Sequence, residues 1–145
     1  MTQRVVGVGR AVADHLAVVD RFPEADAKVD LAGFSIQGGG TVATALSTVA
    51  SFGAPAAFAG KLSDDAFGLF SRRGLEALGV DTGALRIQAG RLSPYAFIVV
   101  ERESLRRTVF QTQGNLDPLN VDELLLLILE GAALRLLDGS EMSAQ

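Results

Sequence analysis

Three consecutive glycines, Gly38, Gly39 and Gly40, stand directly before a helix-like run that starts at Thr41. Ordering three residues without side chains is entropically costly, and a tight turn into a helix explains one of them, or two. The third points to backbone that another group approaches closely, either a ligand or a neighbouring strand. Free amides at the start of a helix also favour a polar or anionic ligand. The chemistry this stretch offers is binding through main-chain groups.

Other reactive-looking patterns reduce to structure. "GVGRAV", from Gly7 to Val12, has a valine where a dinucleotide-binding loop needs its third glycine, and no helix follows before Asp14. His15 is the only histidine, so a Ser-His-Asp triad would have to use it, and no G-x-S-x-G elbow accompanies it. Neither Gly40 nor Gly53 leads into the Gly-Lys-Ser/Thr of a phosphate-binding loop. Asn120 and Glu123 in "NVDE" have capping-box spacing and read as a helix start rather than a metal motif. With no cysteine, disulfides and thiolate metal sites are excluded.

The elements that must position the glycines follow from pattern. "RVVGVG" and "APAAFAG" are short buried strands ended by glycine, and "DHLAVVDRFP" continues extended to Phe22 and Pro23. "KVDLAGFSIQ" alternates early, with Val29 and Leu31 on one face, and predicts a half-exposed strand. Thr41 to Phe52 holds small and apolar residues with neither Gly nor Pro, which suits a buried helix closed by a left-handed Gly53. A second helix follows Ser63, Asp64 and Asp65 and stops at Gly79, with Gly68 and Gly74 weakening its regularity. "ALRIQ", "YAFIVVE" and "RRTVFQT" read as strands, the last two as a hairpin turning at Arg102 to Leu105. A helix from Asn120 to Gly131 and a strand "ALRLLDG" complete the order. Strands alternating with helices predict a parallel α/β sheet. The strand pairs at 15–37 and 95–111 break that rhythm and predict a separate small antiparallel layer.

At 145 residues, 48% hydrophobic and 21% charged, the chain is one globular domain. A net charge of −4 with scattered basic residues argues against a nucleic-acid partner. The longest apolar run, Leu124 to Leu129, lies between Glu123 and Glu130, far short of the ~20 residues a membrane span needs. Arg4, Arg10 and Asp14 interrupt the N-terminal apolar stretch, so no signal-peptide core is present. The expectation is a cytoplasmic protein with neither nucleic acid nor membrane as partner.

From Val5 to about Gly114 the sequence resembles the N-terminal half of the ribokinase-like (PfkB-type) carbohydrate kinases. The match is carried by "GRAVADHLAVVDRFP", "GGGTVATALSTVASFGAPAAFAGKLSDDAFG" and "GVDT" at Gly79 to Thr82. The resemblance implies a three-layer α/β/α fold with a small β-lid at about 15–37 and 95–111, and a possible homodimer through that lid. It further implies that Asp14 and the backbone of Gly39 and Gly40 hold sugar hydroxyls, with the glycine pair acting as the lid's hinge. Thr44 falls where the family usually has asparagine, so it offers one hydroxyl donor instead of an amide's two. Ser63 replaces the glycine that usually precedes the acidic pair, and Asp64 and Asp65 read as helix caps.

For a complete enzyme the resemblance implies ATP and Mg2+ and transfer of the γ-phosphate to a sugar hydroxyl. The family's Gly-Ala-Gly-Asp stretch, which carries the general base, is not in these residues. The expectation is that Asp14, Gly39, Gly40 and Thr44 bind substrate, with no catalytic, cofactor-binding or metal residue among the 145. A non-catalytic sugar-binding module and an inactive remnant are the two other classes compatible with the same residues. The same reasoning expects Gly40→Ala to fold while losing sugar affinity.

Overall fold

The computed structural model describes residues 4–120, 122–123 and 132–137, the last as backbone only. β1 (Arg4–Val8) lies between β4 (Ala56–Leu62) and β9 (Ala132–Leu137), parallel to both. β5 (Val80–Asp81) and β6 (Leu85–Ile87) pair in parallel with successive parts of β4. All seven residues of β4 are buried, which explains its composition of Ala, Phe and Leu with a single cation.

Helix α1 (Thr41–Ser51) leads into β4, and α2 (Ala66–Ala77) joins β4 to β5. Both crossovers step the same way across the sheet, so the right-handed rule puts both helices on one face. There Val42, Ala43, Leu46, Phe58, Leu62, Leu75 and Val80 form the main core. Burying one such Leu or Phe contributes about 1.5–3 kcal/mol. Gly7 on β1 makes the close packing possible, because a side chain there would overlap Val42 and Leu46. Gly53 and Gly79 close the two helices at φ +81° and +82°.

The second sheet has the order β3-β2-β7-β8, with β2 (Val12–Val19), β3 (Gly33–Gly39), β7 (Tyr95–Glu101) and β8 (Arg107–Thr112). It is mixed rather than antiparallel. β2 and β3 form one antiparallel hairpin, β7 and β8 another, and β2 runs parallel to β7. Each hairpin leaves the body of the protein on its first strand, so the two first strands travel outward together.

β3 begins at Gly33, not Lys28. Val29 and Leu31 are exposed, and β2 ends at Val19, so 28–32 has no ladder to join beyond the single bond from Ala32 N–H to the Val18 carbonyl. The hairpin turn at 102–105 is present, with Leu105 at φ +57°. Asn120 and Glu123 form the reciprocal capping box, at 2.9 and 2.8 Å. The rest of that helix lies outside the described residues.

Candidate functional site

Asp14 sits on β2, in register with Gln37 of β3 and Ala96 of β7. It is half-buried, and its carboxylate lies against the backbone of Gly39, where a Cβ would overlap it. No hydrogen bond reaches either oxygen among the described residues. Burial pushes its carboxyl above the ordinary aspartate range, and the neighbouring His15 opposes that shift in part. A carboxylate desolvated without a partner is poised to accept hydroxyl donors.

His15 points to the opposite face of the strand. Its ring packs among Phe34 (6.3 Å), Phe67 (5.5 Å, edge-on) and Phe97 (4.9 Å), and its Nδ1 is buried without a partner. The lone histidine is a packing residue and faces no candidate nucleophile.

The glycines prove to be bare for different reasons. Gly38 has open space where a side chain would go. Gly39 is bare because Asp14 lies on it. Gly40, the N-terminal cap of α1, has φ +97°, and a Cβ there would collide with the Arg10 carbonyl. The group that keeps Gly40 bare is the protein's own backbone, so the expectation that Gly40→Ala folds readily is replaced by one of strain. With glycine as its cap, α1 starts with no side-chain hydrogen bond to its first amides.

Thr44 is exposed on α1, and its hydroxyl makes no hydrogen bond among the described residues. Gly38, Gly39, Thr44 and Ser71 share a cleft of about 140 Å³ between the two helices. Asp14 does not line that cleft, whose walls are largely apolar and small. Gly39 is thus the residue that joins the others, touching Asp14 on one side and the cleft with Thr44 on the other.

Of the two acids expected to be helix caps, Asp65 is one and Asp64 is not. Asp65 caps α2 by accepting from Gly68 N–H at 2.7 Å. Asp64 accepts from Gly90 N–H at 2.9 Å and the Ser63 hydroxyl at 3.1 Å, and these bonds hold its carboxyl below the usual range.

Sequence reasoning missed a second, polar cleft of about 240 Å³ at the carboxyl ends of β1 and β4, lined by Arg10, Lys61, Gln113 and Asp117 among others. Arg10 donates to Gln113. Lys61, almost fully buried, bonds the Pro118 carbonyl at 3.0 Å and Glu123 at 2.9 Å. The Asn120 amide and then Lys61 hold the Glu123 carboxyl down. The signal was a lysine within an otherwise apolar strand, a position that demands a partner. Among the described residues no three His, Asp or Glu side chains converge to hold a metal ion. No described helix is long and apolar enough to cross a membrane.

Residues 2–143 match the profile described as pfkB family carbohydrate kinase. The chain belongs to that family. Among relatives of this pfkB-family chain, an ATP-dependent ribose-1-phosphate kinase from Halopiger xanaduensis is 32% identical over 98 residues, covering 68% of this chain and 33% of the relative. Fructokinase-1 from Zea mays is 31% identical over 130 residues, covering 89% and 39%. The structure of Arabidopsis thaliana ribokinase complexed with ribose and ATP superposes with a TM-score of 0.78 at 22% identity, over 94% of this chain and 45% of that one. The fold is ribokinase-like α/β, and the chain spans 33% and 39% of the length of these two curated relatives.

Proposed function

We propose that this chain supplies the sugar-binding part of an ATP-dependent carbohydrate kinase. The observation that carries the reading is the Asp14 carboxylate, half-buried, laid against Gly39 and without a hydrogen bond among the described residues. It accepts two sugar hydroxyls, and a deoxy analogue would leave it desolvated and unpaired. The Gly39 and Gly40 backbone and the uncapped start of α1 add main-chain donors, and the free Thr44 hydroxyl adds one more contact. The second sheet is the lid, joined to the body at Gly39–Gly40, which hinges it, and at Ser93–Pro94.

ATP with Mg2+, when bound, supplies the phosphoryl group that such a kinase transfers to a sugar hydroxyl. The residues assigned here bind and orient the sugar and exclude water from it; the general base and the nucleotide's ligands are assigned to none of them. Positioning is most of what phosphoryl transfer asks of a protein. The relatives' names suggest ribose, its 1-phosphate and fructose as first candidates.

A homodimer through the lid is supported by its outer face, where Phe34, Ile36, Phe97 and Phe110 are 57, 43, 48 and 54% exposed. Four large apolar side chains on one sheet face are the kind of patch that associates. The test of the sugar reading is calorimetric titration of the chain with ribose, fructose and ribose 1-phosphate, alongside an ADP-release assay. Binding that Asp14→Ala abolishes, with ADP release at background, is expected. Equal binding by wild type and Asp14→Ala would sink the assignment of Asp14, and sugar-dependent turnover would sink the assignment of the base elsewhere.

A further inference from the structure

Asp65 has two carboxylate oxygens, and the helix cap uses only one. Oδ1 accepts from Gly68 N–H at 2.7 Å, while Oδ2 accepts from Ser93 N–H at 2.8 Å. Ser93 is fully buried and stands two residues before β7 begins, at the point where the second hairpin leaves the body. Its own hydroxyl accepts from Ser63 N–H at 2.8 Å, at the carboxyl end of β4. Gly68 is required inside α2 for this arrangement, because a side chain there would run into the Ser63 carbonyl and the Ser93 hydroxyl.

The other side of the same joint is also fastened. Leu92 exchanges two hydrogen bonds with Asn115, at 2.6 and 3.0 Å, and Gly114 lies against the Leu92 carbonyl. One step along β7, Tyr95 stacks on Phe67 of α2 with centroids 4.2 Å apart. The entry to β7 is therefore held by α2, by β4 and by the exit from β8. A helix cap alone needs none of this, and Ser, Thr or Asn would cap as well as Asp. Only a carboxylate presents two acceptors with no donor between a helix amide and a loop amide.

We propose that Asp65 is a positioning residue for the lid: one oxygen starts α2 and the other fixes the angle at which β7 leaves the body. This rests on the reading of the second sheet as a lid, since Asp65 itself contacts no substrate group. The consequence is a division of labour between the lid's two attachments. Gly39–Gly40 is the joint without side chains, and Ser93–Pro94 is the fixed one.

The test separates the two oxygens. Asp65→Ser keeps a good cap but is too short to reach Ser93, and Asp65→Ala loses both bonds. Amide hydrogen exchange on the 145-residue chain should then show, in Asp65→Ser, exchange at Tyr95–Phe97 and their β2 partners faster by ~10-fold or more. Gly68 and Leu69 should stay within ~3-fold of wild type, and Asp65→Ala should accelerate both regions. Lid exchange unchanged in Asp65→Ser, or rising only in step with that of α2, overturns the proposal. Asp65→Thr, an equally short cap, reads the same split if the serine variant does not fold. In a protein that turns over sugar, Asp65→Ser should raise KM by ~5-fold or more with kcat within ~2-fold. Absence of sugar turnover in a catalytically complete protein would remove the kinase reading and leave the exchange result to judge Asp65.

Discussion

Asp14 lies beside the uncapped start of α1 with neither oxygen hydrogen-bonded among the described residues, whereas Asp64 and Asp65 at the start of α2 accept four bonds between them. Burial drives the Asp14 carboxyl up, and hydrogen bonds drive that of Asp64 down. Both sites are aspartates close to a glycine and a helix start, so by composition they are alike. What separates them is satisfaction. Asp65 spends both oxygens on the protein's own amides, and Asp64 spends its Oδ1 on the Gly90 amide and the Ser63 hydroxyl. Asp14 keeps both of its acceptors, at a cost in desolvation that the free protein does not recover. The contrast is what singles out Asp14 as the acid proposed to meet a substrate, since it has acceptors left to offer.

The largest effect should come from closing the bare start of α1. Gly40→Ala puts a methyl group at φ +97° and into the Arg10 carbonyl. Left-handed strain of about 1–2 kcal/mol and a backbone displacement together should cost ~3 kcal/mol or more. Urea denaturation reads this directly, with Gly38→Ala, which meets open space, as the control expected to match wild type. If Gly40→Ala unfolds within ~1 kcal/mol of wild type, the α1 start is not conformationally special and the contrast with α2 loses one side.

Next is Asp14→Ala, which in a catalytically complete protein should lower kcat/KM at least ~10²-fold, about 2.7 kcal/mol. Its stability should move the other way. The raised carboxyl means folding disfavours the charged form, so the handicap appears as pH rises through the folded value and is absent below the unfolded one. Asp14→Asn removes the charge, and its melting temperature at pH 7 should equal or exceed that of wild type. A lower one would mean that Asp14 is structurally paired after all.

Much of this was legible in the sequence, and what was not has a common cause. α1 was visible because its residues are small or apolar with neither Gly nor Pro, β4 because its run is short and mostly apolar, and Gly53 and Gly79 marked ends that need left-handed backbone. α2 was visible in spite of Gly68, whose purpose is close contact with Ser63 and Ser93 and has no local signature. Alternation alone overextended β3 to Val29 and Leu31, since a period of two says nothing about whether a partner strand reaches that far. The parallel β2–β7 pair, Asp65 with Ser93, and Lys61 with Glu123 all join residues far apart in the chain. The candidate site itself was named by resemblance. Pattern supplied only the glycines, and it could not tell that Asp14 and Arg10, not a ligand, keep two of them bare.

A smaller change should sharpen the functional side. Thr44→Val keeps the β-branched shape and removes only a hydroxyl that has no partner among the described residues. Sugar affinity should fall by ~10-fold, about 1.4 kcal/mol, with the melting temperature unchanged. Calorimetry giving the wild-type affinity would remove Thr44 from the site and leave Asp14 and Gly39 as its whole polar content.

The smallest effect belongs to Asp64, and its sign is opposite to that of Asp14. Its carboxyl is held below the unfolded value, near 3.9, by the Gly90 amide first and the Ser63 hydroxyl second. A depressed folded value means the contribution is complete above the unfolded value and is lost as pH falls through the folded one. From pH 7 down to about 5 the contribution should therefore stay constant, and the loss should fall between about pH 4 and the folded value. Asp64→Asn still presents an amide oxygen to Gly90, so its melting temperature at pH 7 should drop only slightly. The two melting curves should converge on acidification, because protonation removes from wild type what the substitution has already removed. A gap between them that stays constant down to pH 2.5 would show that Asp64 acts through shape, not charge. The opposition between an acid that folding satisfies and one that it strands would then rest on Asp14 and Asp65 alone.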